Sequence, residues 1–259
     1  MRKILVAGCL LFASFPVAAA EAMHVEASLI ASGASPARDA PLWVGLKMRH
    51  QAGWHTYWKN PGDAGMPTRI DWTLPAGWSA SGIEWPAPAR IQLGPLASYG
   101  YEGDLVLPVK LIPPSGWDAK SPVRISAKAN WLVCKEICIP EGGNFTLSLP
   151  ARVSEPDRKL FDAWRERVPV SFRFTKATAE RNAGRLVVTL EPAGSGQFFP
   201  EREELVEPGD PPQVTITGKR ATWSAKLGVQ GKTLAATAMI SGVWVPESGK
   251  PLFVQAKLR

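Results

Sequence analysis

The chain has 259 residues, a formal net charge of +7 and a 45% hydrophobic fraction. It is too long for a disulfide miniprotein, apolar enough to build real cores, and of a size that fits two ordinary domains. Lys and Arg are scattered rather than gathered into a stripe, so the basic balance gives no support to a nucleic-acid partner; it suits solubility or loose attraction to anionic surfaces.

Met1-Arg2-Lys3 is a positive start, Ile4 to Val17 is almost wholly apolar, and Ala18-Ala19-Ala20 offers a small-residue cleavage site. That pattern predicts a secretory signal peptide over residues 1–20. Val6-Ala7-Gly8-Cys9 resembles a lipobox, but few apolar residues precede Cys9 and the apolar run continues past it. Cleavage near Glu21 discards Cys9 and leaves Cys134 and Cys138, an even count that suits an oxidising compartment. No later apolar run approaches the roughly 20 residues of a membrane span, so no transmembrane segment is expected in the mature chain.

Strand patterns follow. Val25, Ala27 and Leu29 alternate with polar neighbours, and so do Leu42, Val44, Leu46 and Met48. Alternation with period 2 buries one face of a strand. Gly53 to Gly65 then carries the densest aromatic cluster, Trp54, Tyr57 and Trp58, with Trp72, Trp78 and Trp85 beyond it. Such rings can stack on sugars, but they are expected here to fill the core and the sandwich edges. Asn60-Pro61-Gly62-Asp63 reads as a turn. His55 is expected to be a hydrogen-bonded structural histidine; the alternative is a Cys₂His metal site with Cys134 and Cys138, short of the four ligands of structural zinc.

Leu105 to Leu111 and Val123 to Ala129 alternate again, and Phe145, Leu147 and Leu149 close the first unit at Pro150. Between them stands Asn130-Trp131-Leu132-Val133-Cys134-Lys135-Glu136-Ile137-Cys138-Ile139-Pro140-Glu141. In an extended strand, four steps separate the Cα atoms by roughly 13 Å. A disulfide needs about 4.4–6.8 Å. Either the backbone folds back within Lys135-Glu136-Ile137, or the pair is not bonded. A bonded pair on a tight turn is either a redox-active centre, since strained or exposed disulfides are the reducible ones, or a stabilising staple. Lys135 favours a thiolate and Glu136 opposes it, so no strongly acidic thiol is expected.

Ser154 to Val168 changes rhythm. Leu160, Phe161, Trp164 and Val168 recur at helical spacing, with Ser154 as cap, Pro156 in the first turn and Asp157 at the positive end. Strands resume at Val170, Phe172 and Phe174, at Leu186 to Leu190, at Val214 and Ile216, over Leu234 to Ile240, and at Leu252 to Ala256. Pro200 to Pro212 reads as a long acidic surface loop. The predicted class is all-β: two immunoglobulin-like sandwiches joined by a short helix, with domains at 23–150 and 169–259 and a linker helix at 151–168. The second unit has neither Cys nor His, and a scaffolding or docking role is expected for it.

Three separated motifs occur together: Gly53-Trp54-His55-Thr56-Tyr57-Trp58-Lys59-Asn60-Pro61-Gly62-Asp63; Tyr99-Gly100-Tyr101-Glu102 with Leu107-Pro108-Val109; and Trp131-Leu132-Val133-Cys134 with Cys138-Ile139-Pro140-Glu141. Over roughly Glu26 to Pro150 the chain resembles the N-terminal periplasmic domain of DsbD-type thiol:disulfide interchange proteins, nearest the branch of the suppressor-of-copper-sensitivity protein ScsB. The second unit is similar to that branch's extra β-domain. The resemblance implies a periplasmic domain with an immunoglobulin-like fold and protein-disulfide reductase activity, needing neither cofactor nor metal. It implies that electrons arrive from a thioredoxin-like or membrane-embedded donor and pass to oxidised periplasmic proteins such as disulfide isomerases. It places the redox pair on Cys134 and Cys138, with Cys138 as nucleophile and Cys134 as resolver. It also implies a shielding cap loop near Leu93 to Tyr101, with Leu96, Tyr99 and Tyr101 as the candidate residues, although the phenylalanine expected there is missing. Relatives usually continue into membrane and thioredoxin domains; here the donor is either a separate protein or a segment beyond Arg259. The competing readings are a copper-binding module using the thiols with His55 or Met66, and a non-catalytic sandwich with a structural disulfide.

Overall fold

A computed structural model describes residues 23–36 and 40–259; the expected signal peptide, residues 1–20, lies outside them. The first half contains β1 (Val25–Ala31), β2 (Leu42–His50), β3 (His55–Gly62), β4 (Arg69–Thr73), β5 (Ser79–Ala80), β6 (Ala89–Leu93), β7 (Leu96–Glu102), β8 (Asp104–Ile112), β9 (Val123–Cys134) and β10 (Cys138–Leu149). These make two sheets. One runs β1-β2-β8-β5; the other runs β10-β9-β3-β7-β6, with β4 also paired to β9. Their facing sides form the sandwich core, as the alternation predicts. Leu46, Met48, Leu105 and Leu107 from one sheet meet Trp58, Ala129, Trp131 and Val133 from the other. The tryptophans fill core space: Trp58 is fully buried, Trp78 sits edge-on to Trp117 at 5.0 Å, and Trp54, Trp72 and Trp85 pack partly buried against the core clusters.

Helix α1 (Glu155–Arg165) follows. The Ser154 hydroxyl accepts a hydrogen bond from the Asp157 backbone N–H at 3.2 Å, which satisfies one of the orphan donors of the first turn. Its apolar face carries the fully buried Phe161, packed with Ile30 and Val106 on the back of the first sandwich. Gly45 makes room for it, since a Cβ there would fall 2.4 Å from Val106 Cγ1 and 3.0 Å from Phe161 Cε2. Lys47 and Ser154 both hydrogen-bond the Asp157 carboxylate and hold it below the usual carboxylate range.

The second half adds β11 (Val170–Ser171), β12 (Lys176–Asn182), β13 (Arg185–Glu191), β14 (Gly196–Pro200), β15 (Gln213–Thr217), β16 (Arg220–Lys226), helix α2 (Val229–Thr233), β17 (Met239–Pro246) and β18 (Leu252–Leu258). All eight strands join one hydrogen-bonded sheet, ordered β14-β17-β18-β12-β13-β16-β15 with β11 on β18. The β12–β18 junction is parallel and holds only two paired positions, Thr178 with Lys257 and Ala179 with Leu258. There the sheet folds over on itself, so that Phe198 of β14 meets Trp223 of β16 edge-on at 5.2 Å. The result is sandwich-like, as predicted, with the two layers joined by main-chain bonds.

Four local expectations need correction. The Leu234–Ile240 strand begins only at Met239; the alanine-rich stretch before it has weak strand propensity and forms a turn after α2. The Val170–Phe174 strand is two residues long, with Phe172 turned out beside Phe174. Asn60-Pro61-Gly62 ends β3 instead of breaking away from it, at a register shift against β7 where a proline costs no ladder bond. The stretch from Pro200 to Pro212 is no mere surface loop, because Leu205 and Val206 are buried and its carbonyls are bonded by the first unit.

That bonding joins the two halves. Asn60 Nδ2 donates to the Pro200 and Arg202 carbonyls at 2.8 and 3.2 Å, and Arg90 donates to the Pro208 carbonyl at 2.7 Å. Lys59 pairs with Glu201. Phe199 leaves its own unit's core and lies edge-on to Tyr99 at 5.3 Å and to Trp58 at 6.5 Å. Phe199→Ala is expected to lower stability by about 3–5 kcal/mol, measured by urea unfolding; a loss below about 1 kcal/mol would mean that this ring does not knit the halves together.

Candidate redox site

The site lies on the outer side of the six-stranded sheet, at the turn end of the β9–β10 hairpin. Cys134 closes β9 and Cys138 opens β10, and the two are direct cross-strand partners. Lys135-Glu136-Ile137 turns the chain between them, with Lys135 N–H bonded to the Ile137 carbonyl at 3.1 Å. The backbone therefore folds back, as one of the two sequence alternatives requires. The Cα atoms stand 4.1 Å apart and the sulfurs are bonded.

The two sulfurs are not equivalent. Along β9 the odd positions Ala127, Ala129, Trp131 and Val133 are buried in the core, while Lys128 and Asn130 face outward and are exposed. Cys134 shares their outward parity, yet it is only 1% exposed. Neighbouring strand β3 supplies its cover: His55 is the cross-strand partner of Cys134, and Tyr57 stands two residues on, on the same face. Cys138 is exposed, as are all three residues of the turn, with Ile137 at 64%.

Tyr57 is nearly buried, and its hydroxyl lies 3.7 Å from Cys138 Sγ. Burial raises the Tyr57 pKa, and the Ser98 hydroxyl partly offsets the rise; the phenol is thus neutral and keeps a proton to donate. The strap from Gly62 to Pro67 crosses its ring, so closely that a Cβ on Gly65 would fall 2.2 Å from Tyr57 Cε1. Gly65 also adopts φ +125°, a conformation side chains rarely take. Asp63 pins the strap to the β6–β7 hairpin by accepting the Ala97 N–H at 2.8 Å.

His55 is fully buried, and neither ring nitrogen has a hydrogen-bond partner. The hydrogen bonding expected of it is absent. Desolvation, with a smaller push from the charge of His50, lowers its pKa and favours the neutral ring. Its edge meets Tyr57 with centroids 5.2 Å apart. Among the described residues no three or more His, Cys, Asp or Glu side chains gather as a metal centre would require, and the bonded sulfurs do not form the Cys₂His arrangement.

Of the three candidate cap residues, Tyr99 and Tyr101 turn into the core and not out toward the sulfurs. Residues 93–101 form most of a hairpin, not a loop. Leu96 is exposed at its tip, whereas Tyr99 packs on Phe199 and Tyr101 donates to the Pro86 carbonyl at 2.7 Å beneath Trp164. Both tyrosines obey the inward parity of β7 and belong to the core. Sequence reasoning missed Tyr57 and the strap as the local cover. The alternation of His55 and Tyr57 was the available signal, hidden because almost every residue of β3 is buried on both faces.

Glu141 completes the frame. Its nearly buried carboxylate accepts the His24 and Val25 N–H groups at 2.6 and 3.1 Å, meets His24 Nδ1 at 2.9 Å, and accepts Trp131 Nε1–H at 3.3 Å. It fastens β10 to the start of β1. Beside it an open groove of about 710 Å³, lined by Met23, Met66, Pro67, Leu132 and Pro140 among others, runs along the outer sheet face.

Residues 26–150 match the family described as the N-terminal domain of thiol:disulfide interchange protein DsbD. The fold resembles the crystal structure of the N-terminal periplasmic domain of ScsB from Proteus mirabilis, with a TM-score of 0.70 at 16% identity, covering 94% of this chain and 97% of that one. The periplasmic chaperones SfaE (TM-score 0.23, 8% identity, covering 89% and 98%) and E. coli DraB (0.21, 9%, 90% and 97%) align too loosely to bear on the argument. No curated protein sequence matches the chain.

The geometry sets an order of reactivity. In the reduced protein, iodoacetamide is expected to modify Cys138 well before Cys134. A hydrogen bond to a charged group contributes about 1.5–3 kcal/mol, so Tyr57→Phe is expected to raise the Cys138 thiol pKa by roughly one unit or more. The pH profile of alkylation reads this directly; an unshifted profile would remove Tyr57 from the site.

Proposed function

We propose, from the match of residues 26–150 to the DsbD N-terminal family, that the protein is a periplasmic protein-disulfide reductase module built on a thiol-disulfide interchange domain. It relays electrons from a thioredoxin-like or membrane-borne donor to oxidised periplasmic proteins such as disulfide isomerases. The observation that carries this reading is the asymmetry of the pair: one sulfur open to a visiting protein, the other buried behind it.

The steps are ordinary exchange. A donor thiolate attacks the exposed Cys138 Sγ; a donor–Cys138 bond forms, the Cys134–Cys138 bond breaks, and the electron pair leaves on Cys134. The donor's second thiol then displaces Cys138. The donor ends as a disulfide and this domain as a dithiol, having gained two electrons and two protons. In the second half-reaction the Cys138 thiolate attacks the acceptor's disulfide, and Cys134 resolves that complex to restore the starting bond. Rates follow thiolate fraction, leaving-group pKa and access. Tyr57 serves the first of these, the exposed turn the last.

Ile137, exposed in the turn between the two cysteines, offers an apolar contact that suits docking of a partner's active-site surface. The second unit serves as scaffold, backing β3 through Phe199 and Asn60. No helix among the described residues is long and apolar enough to cross a membrane.

Trapping tests the scheme. Cys134→Ser is expected to accumulate a mixed disulfide through Cys138 and to stop turnover. Cys138→Ser is expected to stop turnover without trapping. Mass spectrometry of the partner adduct and an insulin-reduction assay with a thioredoxin-like donor read both outcomes; full relay by Cys138→Ser would overturn the proposal.

A further inference from the structure

Opening the disulfide creates two sulfurs that each need a partner. Cys138 is exposed and meets water. Cys134 is 1% exposed and cannot. A buried polar or charged group without a partner is costly, and a thiolate more so than a thiol.

The fold places one uncommitted group beside it. His55 is the cross-strand neighbour of Cys134, which puts the Cβ atoms about 4.5–5.5 Å apart on one face. His55 is fully buried, with Nδ1 and Nε2 both unpartnered. His50 differs in this respect. That ring, nearly as buried, bonds the Gly103 carbonyl at 2.6 Å and Thr56 Oγ1 at 2.9 Å. A ring serving only as filler would be replaced without loss by a phenyl group, which leaves no nitrogen unsatisfied.

We propose that His55 is a positioning residue for the buried sulfur: when the disulfide opens, its neutral imidazole hydrogen-bonds Cys134 Sγ and so stabilises the reduced state. The inference rests on the reading of Cys134 and Cys138 as an exchange pair. When the S–S bond breaks, the electron pair arrives on Cys134 as a thiolate, and the ring in one tautomer donates its N–H to that charge. When Cys134 takes up its proton, the other tautomer presents a bare nitrogen and the thiol donates to it. The ring itself gains and loses no net proton. The charged and titratable groups around it are His50, Tyr57, the facing Glu102 of β7, and Lys135 and Glu136 of the turn.

The test compares wild type, His55→Phe and His55→Gln in glutathione redox buffers, reading the dithiol:disulfide equilibrium by alkylation and mass spectrometry. His55→Phe is expected to favour the disulfide at least tenfold more than wild type, which is about 30 mV for a two-electron couple. His55→Gln, which keeps a donor and an acceptor, is expected to recover most of that shift. A His55→Phe equilibrium within twofold of wild type would overturn the inference while leaving the exchange reading intact. A wild-type pair that resists the glutathione buffers altogether would defeat the exchange reading itself. Should the variants fail to fold, ¹⁵N resonances of the His55 ring in wild type decide: they are expected to move on reduction, and unmoved resonances would contradict the proposal.

Discussion

The structure depends on one cross-strand pairing. Cys134 and Cys138 face each other at the turn end of the β9–β10 hairpin, and the residues around them fix which sulfur is covered. The pleat of β9 sends Trp131 and Val133 inward and Cys134 outward, while β3 lays His55 and Tyr57 over the outward side. The turn residues Lys135, Glu136 and Ile137 leave Cys138 in the open. A disulfide with one accessible sulfur can be attacked from one direction only.

The rest of the molecule supports that corner. Glu141 ties β10 to the first strand, and the Gly62–Pro67 strap rests on Tyr57 while Asp63 anchors it to the β6–β7 hairpin. Behind β3, Phe199 from the second unit fills the space against Trp58 and Tyr99, and Asn60 bonds two carbonyls of the following segment. Strand β3 is thus held from both sides. One of its residues touches Cys138, another pairs with Cys134, and Asn60 carries the contact with the second unit.

Much of this was legible in the sequence. Period-2 alternation located β1, β2, β8 and β9 because each has one core face, and Ser154, Pro156 and the 3.6-period apolar residues located α1. The cysteine pair stood out by spacing and by the company of separated motifs. What stayed hidden has physical causes. Strand β3 is buried on both faces, so it shows no alternation, and its Asn60-Pro61-Gly62 end mimics a turn. Tyr99 and Tyr101 are core residues of a hairpin that runs through the stretch expected to be a loop. Burial of Leu205 and Val206 depends on contacts with residues far away in sequence, which local composition cannot reveal. The isolation of His55 exists only once three strands are assembled.

The central claim is that this disulfide is an exchange centre and not a staple. The reduction potential of the wild-type Cys134–Cys138 pair, measured in glutathione buffers, addresses it most directly. Catalytic thiol pairs lie at potentials of roughly −270 to −120 mV and structural disulfides below about −300 mV. A value more positive than about −250 mV is the expected result; one below about −300 mV would contradict the claim.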